Sequence, residues 1–370
     1  MTDGDVYKQT VLFEKHMQLG ARMAPFGGYM MPIQYAGILS EHKAARTAAA
    51  VFDTCHMGEF RVSGETALQD LENLLSCDLA ELAVGRCRYG LMCNPEGGVI
   101  DDLVLYRLDD RQYMLVVNAG TQDGDFEWIS YHVSEGTAVV NISRSTAKID
   151  VQGPRAPRIV QSLTDAPIDG LKFYGFHHNT YREQPVLISR TGYTGEVGFE
   201  IYSDPATVGR IWDTCIKLGA VAAGLGARDT LRLEIGMPLY GHELKEDRNA
   251  GTAGFGPFIS KAKPFIGSTA ILSNFDRKER MIGMEFEGRQ AAREGNLIRS
   301  LEGNVIGVVT SGSFAPSLNH AVALGYVDSD FSAAGTYIEV EARRVLRAKV
   351  AEPPFYKEGT ARRSLADFLD

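Results

Sequence analysis

The chain has 370 residues, 44% of them hydrophobic and 23% charged, with a net charge of −9 at pH 7. That length exceeds what one hydrophobic core accommodates, so two or three domains are expected. The acidic balance argues against nucleic-acid binding as the main activity, and no run approaches the roughly 18 consecutive apolar residues of a membrane span. Five cysteines with no CxxC, and histidines without metal-ligand spacing, point to free thiols and no metal site. The acidic start, residues 1–5, has no apolar or Arg-rich presequence, so a cytoplasmic protein is expected.

In chain order, residues 12–19 read as a helix closed by Gly20, followed by an irregular glycine- and methionine-rich connection at 26–32. A second helix starts at Ser40. Residues 52–59 form a loop into a strand; His56 in it reads as a structural hydrogen-bonder, and no base is in sight to activate Cys55. Strand, glycine turn and helix then occur twice, through Gly64 into 68–75 and through Gly153 into 159–163. Both copies carry Val-x-Gly-x-x-Ala and precede hairpin-like strands and a helix with Trp128 or Trp212. Two copies suggest a duplicated α+β unit.

Between the copies, Asn94, Pro95 and the pair Gly97-Gly98 form a turn into a strand at 99–108, and a second run at 113–118 completes a hairpin. The adjacent carboxylates Asp101 and Asp102 must face opposite sides of that strand. One can stay wet; the other is directed inward and must be paired or shifted in pKa. In the second copy, Gly192, Gly195 and Gly198 open a strand and not a helix, which excludes a phosphate-cradling loop. Gly224 then precedes a helix with Arg228 near its first turn, where a cation opposes the macrodipole. Such a placement suits either a bound carboxylate or a salt bridge. Residues 241–265 lose periodicity, and from 280 short β runs at 281–286, 305–309, 323–327, 337–340 and 345–350 suggest a small barrel or sandwich. The tail reads as frayed or as a short helix.

Several motifs, in this order and spacing, closely resemble the T protein of the glycine cleavage system, a folate-dependent aminomethyltransferase family. They are Gly20-Ala21-Arg22-Met23, His56-Met57, Gly97-Gly98-Val99-Ile100-Asp101-Asp102-Leu103, Gly192-Tyr193-Thr194-Gly195-Glu196, Gly226-Ala227-Arg228-Asp229 and Thr310-Ser311-Gly312-Ser313-Phe314. The resemblance implies an α+β fold: a three-domain ring of two related, ferredoxin-like duplicated domains and a C-terminal β-barrel around a folate site. The expected division is 1–51 plus 141–250 as a discontinuous first domain and 52–140 as a second. A connection at 251–279 and a barrel at 280–370 follow.

The same resemblance makes Asp101 the catalytic residue, with Asp102 pointing away. It implies that Tyr193 and Glu200 hold the pterin, that Arg228 lies near the folate, and that Met57, Tyr89 and Asn118 line the pocket. The implied cofactor is tetrahydrofolate and the implied partner is the lipoylated carrier (H) protein, with no nucleic acid or membrane. Departures from the family pattern, Cys55 before the His-Met pair and the rewritten stretch 246–258, keep two other readings open. One is a tetrahydrofolate-dependent methyltransferase or demethylase of the same fold acting on a small methylated donor. The other is a folate-binding relative without turnover.

Overall fold

The computed structural model describes residues 7–252, 254–273 and 279–369; the acidic start at 1–5 and parts of the 251–279 connection lie outside them. The chain opens with helix α1 (Phe13–Gln18), strands β1 (Arg22–Phe26) and β2 (Tyr29–Gln34), and helix α2 (Ile38–Thr47). The hairpin β1–β2 replaces the irregular connection expected there. Gly27 and Gly28 have φ of 55° and 81°, the pair of positive values that a two-residue hairpin turn needs. Pro25 and Pro32 are tolerated because a two-stranded ribbon consists of edges only.

Strand β3 (Ala50–Asp53) leads into β4 (Gly58–Gly64), α3 (Ala67–Leu74), β5 (Cys87–Cys93), β6 (Val99–Arg107), β7 (Gln112–Val117), α4 (Gln122–His132) and β8 (Thr137–Asn141). The last five strands make one antiparallel sheet in the order β5-β6-β7-β4-β8. Leu103 and Leu105 of β6 pack on Leu71 and Leu74 of α3 and Ile129 of α4, so the helices cover that face.

The chain continues through β9 (Ala147–Gln152), α5 (Ala156–Leu163), β10 (Phe176–Tyr181), β11 (Gln184–Ser189), β12 (Gly198–Ser203), α6 (Pro205–Lys217), β13 (Val221–Ala223) and α7 (Leu225–Glu234). With β3 these strands form a six-stranded sheet, β10-β11-β12-β9-β3-β13. The five-stranded sheet is thus inserted in sequence between β3 and its neighbours. Ile149, Val151, Phe199 and Ile201 pack against Val160 of α5 and Ile211 and Trp212 of α6, which cover one face.

The recurring strand–glycine–helix units have a common cause. Gly64 and Gly153 sit at φ of 143° and 122°, and a Cβ there would meet backbone oxygen at 2.0 and 2.6 Å. The uncovered faces of the two sheets turn toward each other: Tyr106 and Val116 of one pack with Leu187 and Tyr202 of the other.

Helix α8 (Ser268–Ser273) precedes a closed barrel of β14 (Glu279–Phe286), β15 (Leu297–Arg299), β16 (Val305–Ala315), β17 (His320–Asp328), β18 (Tyr337–Glu341) and β19 (Val345–Ala351), in the order β14-β17-β16-β15-β18-β19. The three-residue β15, absent from the sequence reading, closes the ring. The tail ends in α9 (Ala366–Leu369), held by Leu365 and Phe368 against the core of the six-stranded sheet. The fold is α+β with a C-terminal β-barrel. Among the described residues, no helix is long and apolar enough to cross a membrane.

Candidate active site

Alternation along strands decides what faces the space between the sheets. On β12, Phe199 and Ile201 go to the helices, so Glu200 and Tyr202 face inward; on β9, Lys148 and Asp150 do the same. On β6, Leu103 and Leu105 go to the helices and Asp102 and Val104 face inward. Inward side chains, the β1–β2 turn, α7 and barrel strand β16 enclose a cavity of about 990 Å³.

The two adjacent aspartates do occupy opposite faces, but Asp102 is the one on the cavity wall. Asp101 shares the helix-covered face with Leu103 and Leu105 and is fully buried behind it. Its oxygens accept the backbone N–H of Asn118 (3.0 Å) and the Asn118 side-chain amide (2.8 Å). Burial, and then the neighbouring carboxyl of Asp125 in α4, pushes the Asp101 pKa well above the usual carboxylate range. Asp102 accepts from Asn118 Nδ2 at 2.9 Å and from the Tyr89 hydroxyl at 3.0 Å. Its pKa rises to about 7, through burial first and the charge of Asp101 second.

Asn118 therefore clamps both aspartates where β7 ends, and it also lines the cavity. The reading of Asp102 as pointing away is reversed, because the helix-facing positions are the leucines at 103 and 105. That signal is present in the sequence: with leucine at 103 and 105, the alternation puts Asp101 with the core and Asp102 with Tyr106.

On the opposite wall, Glu200 Oε1 pairs with the Lys148 ammonium at 2.6 Å, and Oε2 accepts the hydroxyls of Thr191 and of Tyr106, the latter at 3.1 Å. Burial opposes the Lys148 charge, but Asp150 and Glu200 outweigh it and raise its pKa. Lys148 also approaches Met57 Sδ at 3.3 Å. Arg228, in the first turns of α7, donates to Asp150 Oδ2 at 2.7 Å and stacks over the Tyr193 ring at 4.7 Å. The Tyr193 hydroxyl is fixed on the Pro238 carbonyl.

The salt-bridge reading of Arg228 thus holds, and the same side chain lines the cavity beside Tyr193. Lys148, Tyr106 and Tyr202 escaped the sequence reading. Lys148 and Asp150, opposite charges two apart in an apolar strand, were the available signal for one of them.

Met57, Tyr89, Asn118, Tyr193, Glu200 and Arg228 all line the one cavity; Asp101 does not. Tyr89 meets Phe258 edge to face at 4.9 Å, so the rewritten stretch 246–258 contributes an aromatic wall. His56 differs from expectation: its Nδ1 has no hydrogen-bond partner among the described residues. Burial lowers its pKa to about 4, and it packs edge-on to Phe26 and Tyr29 as a neutral ring. Cys55 is held inert, burial pushing its thiol well up. Among the described residues no three His, Cys, Asp or Glu side chains converge as a metal site requires.

The arrangement offers a flat-sided aromatic slot with a carboxylate on each wall, one of them poised near neutrality. The family model for the GCVT N-terminal domain matches residues 12–263, and that for the glycine cleavage T-protein C-terminal barrel domain matches 279–357. The chain is 41% identical to an aminomethyltransferase of Desulforamulus reducens, the match covering 95% of this chain and 98% of that one. It is 43% identical to an aminomethyltransferase of Symbiobacterium thermophilum, over 95% and 97%. The crystal structure of glycine cleavage system aminomethyltransferase T from Bartonella henselae superposes with a TM-score of 0.90 at 32% identity, covering 95% of this chain and 99% of that one. With both halves matched by their family models and relatives aligned over nearly the whole length, the chain belongs to the glycine cleavage T-protein family of aminomethyltransferases.

Proposed function

We propose that this chain is the cytoplasmic aminomethyltransferase of a glycine cleavage system. It transfers the methylene of an S-aminomethyl-dihydrolipoyl carrier protein to tetrahydrofolate. Ammonia and the dihydrolipoyl arm are released and 5,10-methylenetetrahydrofolate forms. The observation that carries the reading is the cavity between the sheets, with Asp102 and Glu200 on opposite walls and Tyr89, Tyr193 and Phe258 as aromatic sides. Its volume of about 990 Å³ suits a ligand of folate size. An acceptor-only carboxylate such as Glu200 complements the N–H edge of a pterin; three donors already engage it, leaving roughly one of its four lone-pair positions.

Tetrahydrofolate, when bound, supplies the nitrogen nucleophile that takes the methylene. The protein's own part is electrostatic and geometric. Asp102, ionised, stabilises positive charge as nitrogen changes bonding, and its carboxyl near pKa 7 can hold or release a proton at Oδ. Tyr89 and Asn118 fix that carboxylate in place, so no reorganisation is needed at the moment of reaction. Asp101, named by resemblance as catalytic, supports Asn118 from behind and acts through it. Tyr193, Glu200, Arg228 and Met57 bind and orient, and the facing sheets exclude water.

The test is formation of 5,10-methylenetetrahydrofolate from glycine, with the lipoylated carrier, glycine decarboxylase and tetrahydrofolate present. Turnover with a small methylated donor and none with the carrier would overturn the reading.

A further inference from the structure

On the cavity wall that carries Glu200, the Lys148 ammonium is a buried cation whose donors are not all well used. Its side chain is 2% exposed and lines the cavity. An ammonium has three N–H donors and no acceptor. One goes to Glu200 Oε1 at 2.6 Å, and a second meets the Met57 thioether at 3.3 Å, a weak acceptor that also lines the cavity. Asp150 Oδ1, at 3.7 Å, is a charge partner beyond hydrogen-bond reach, and the Tyr202 ring centroid lies 5.7 Å away. The hydroxyls around it are spent. Thr191 and Tyr106 donate to Glu200, so Ser189 donates to Thr191 and Tyr202 to Tyr106. Asp150 and Glu200 keep the ammonium charged against its burial. A charge so sparsely hydrogen-bonded in a cavity wall is unfavourable until a ligand acceptor completes its shell.

We propose that Lys148 donates to the C4 carbonyl oxygen of the bound tetrahydropterin while Glu200 accepts the neighbouring N3–H, an assignment that rests on the folate reading of the cavity. That ring edge presents a donor beside an acceptor. Glu200 Oε1 and Lys148 Nζ, 2.6 Å apart, present the complement, an acceptor beside a donor. Glu200 alone reads only donors, and three groups already engage it, so about one lone-pair position is left for the ring. The carbonyl is a better acceptor than sulfur and displaces the Met57 thioether, whose unbranched side chain swings aside without strain. The wall stays balanced, with Lys148 and Arg228 against Asp150 and Glu200. Lys148 is thereby an orienting residue. C4 and N5 flank the same ring carbon, so a bond at the carbonyl also aims the nitrogen that takes the methylene.

Isotope-edited infrared spectroscopy of tetrahydrofolate labelled with heavy carbon at C4, with calorimetry on the same complexes, tests this. The unaltered protein is compared with Lys148→Met and with Lys148→Met/Asp150→Ala. The single variant strands the Glu200 charge; the double variant removes one charge of each sign, and a native melting curve selects which of them is read. The labelled carbonyl stretch is expected at lower wavenumber in the unaltered complex than in the variant complex, because a charged donor weakens the bond it donates to. Tetrahydrofolate is expected to bind the variant about tenfold more weakly, about 1.4 kcal/mol. The stretch decides the assignment. The same wavenumber in both complexes, whether or not affinity falls, overturns the contact and leaves Lys148 as a structural partner of Glu200, with the folate reading standing. Failure of the unaltered protein to bind tetrahydrofolate overturns the folate reading and the contact together.

Discussion

Asp102 and Asp101 are adjacent in sequence and differ in nearly every physical respect. Asp102 stands on the cavity wall with two donors, and Asp101 is sealed behind it. Asp102→Asn keeps the shape and removes the charge, so turnover should fall about 10²–10³-fold while tetrahydrofolate affinity changes far less. Asp101→Asn should cost less turnover than Asp102→Asn, because it acts only through Asn118. Steady-state assays, calorimetry and melting curves on both variants check this; an order reversed from that expected would return the catalytic role to Asp101. With a free-enzyme pKa of about 7 and a role as carboxylate, Asp102 makes kcat/KM rise as pH increases through about 7, and a pH profile reads that directly.

Stability should move the other way. A carboxyl raised from 3.8 to about 7 favours the fold below its ordinary value, and that contribution is lost as pH rises through 7. Asp102→Asn, with no proton to lose, should therefore melt a few degrees higher than the parent at pH 8 and gain nothing below about pH 4. Across the cavity, Glu200→Ala leaves the buried Lys148 ammonium without its 2.6 Å partner and the pterin edge without its acceptor. Losing about 1–3 kcal/mol of hydrogen bonding weakens tetrahydrofolate about tenfold or more. Unchanged affinity by calorimetry in a folded variant would refute that role for Glu200.

The β5–β6 connection sets where the aspartates stand. It turns at Gly97, with φ of 84°, and Gly98 lies so close to the 240s that a Cβ would sit 1.7 Å from the Glu246 carbonyl oxygen. Gly98→Ala must push backbone apart and should cost about 1–3 kcal/mol, read as a lower denaturant midpoint at unchanged m-value. The Asn94-Pro95-Glu96-Gly97-Gly98 turn and the hairpin after it were legible from local chemistry, since glycine and proline mark turns for steric reasons. The β1–β2 hairpin was not, although Gly27-Gly28 is a hairpin-type dipeptide. Its flanks are rich in methionine and proline and lack the alternation that marks a strand.

The barrel, α7 and the 240s meet at one buried arginine. Arg232, 2% exposed, donates to Glu243 at 3.1 Å and to Ser311 of β16 at 2.8 Å, while Glu243 also accepts the Thr310 hydroxyl at 2.6 Å. Arg232→Met removes one charge and strands the other, so about 3–5 kcal/mol of stability should be lost. Limited proteolysis should then cut more readily in residues 240–265, because that connection is held to the barrel through the same network. Resistance equal to the parent's would show that the barrel docks without Arg232.

The sequence by itself determined the repeated strand–glycine–helix α+β unit and a β-rich C-terminal domain, while the barrel and six of the residues that line the cavity were named through the resemblance to the T-protein family. These depend on local rules: the periods of strand and helix, glycine where φ is positive, and motifs whose spacing is carried along the chain. Only the tertiary structure decided which of two neighbouring aspartates faces the cavity, since that depends on which face of β6 the helices α3 and α4 cover. It also decided that Lys148 and Glu200 stand on the cavity wall across from Asp102, with Asp150 buried beside Lys148. The closure of the barrel by the three-residue β15 was likewise decided by pairing partners far away in sequence. Alternation along a strand fixes that two residues point apart; only the element packed against it fixes which one is buried.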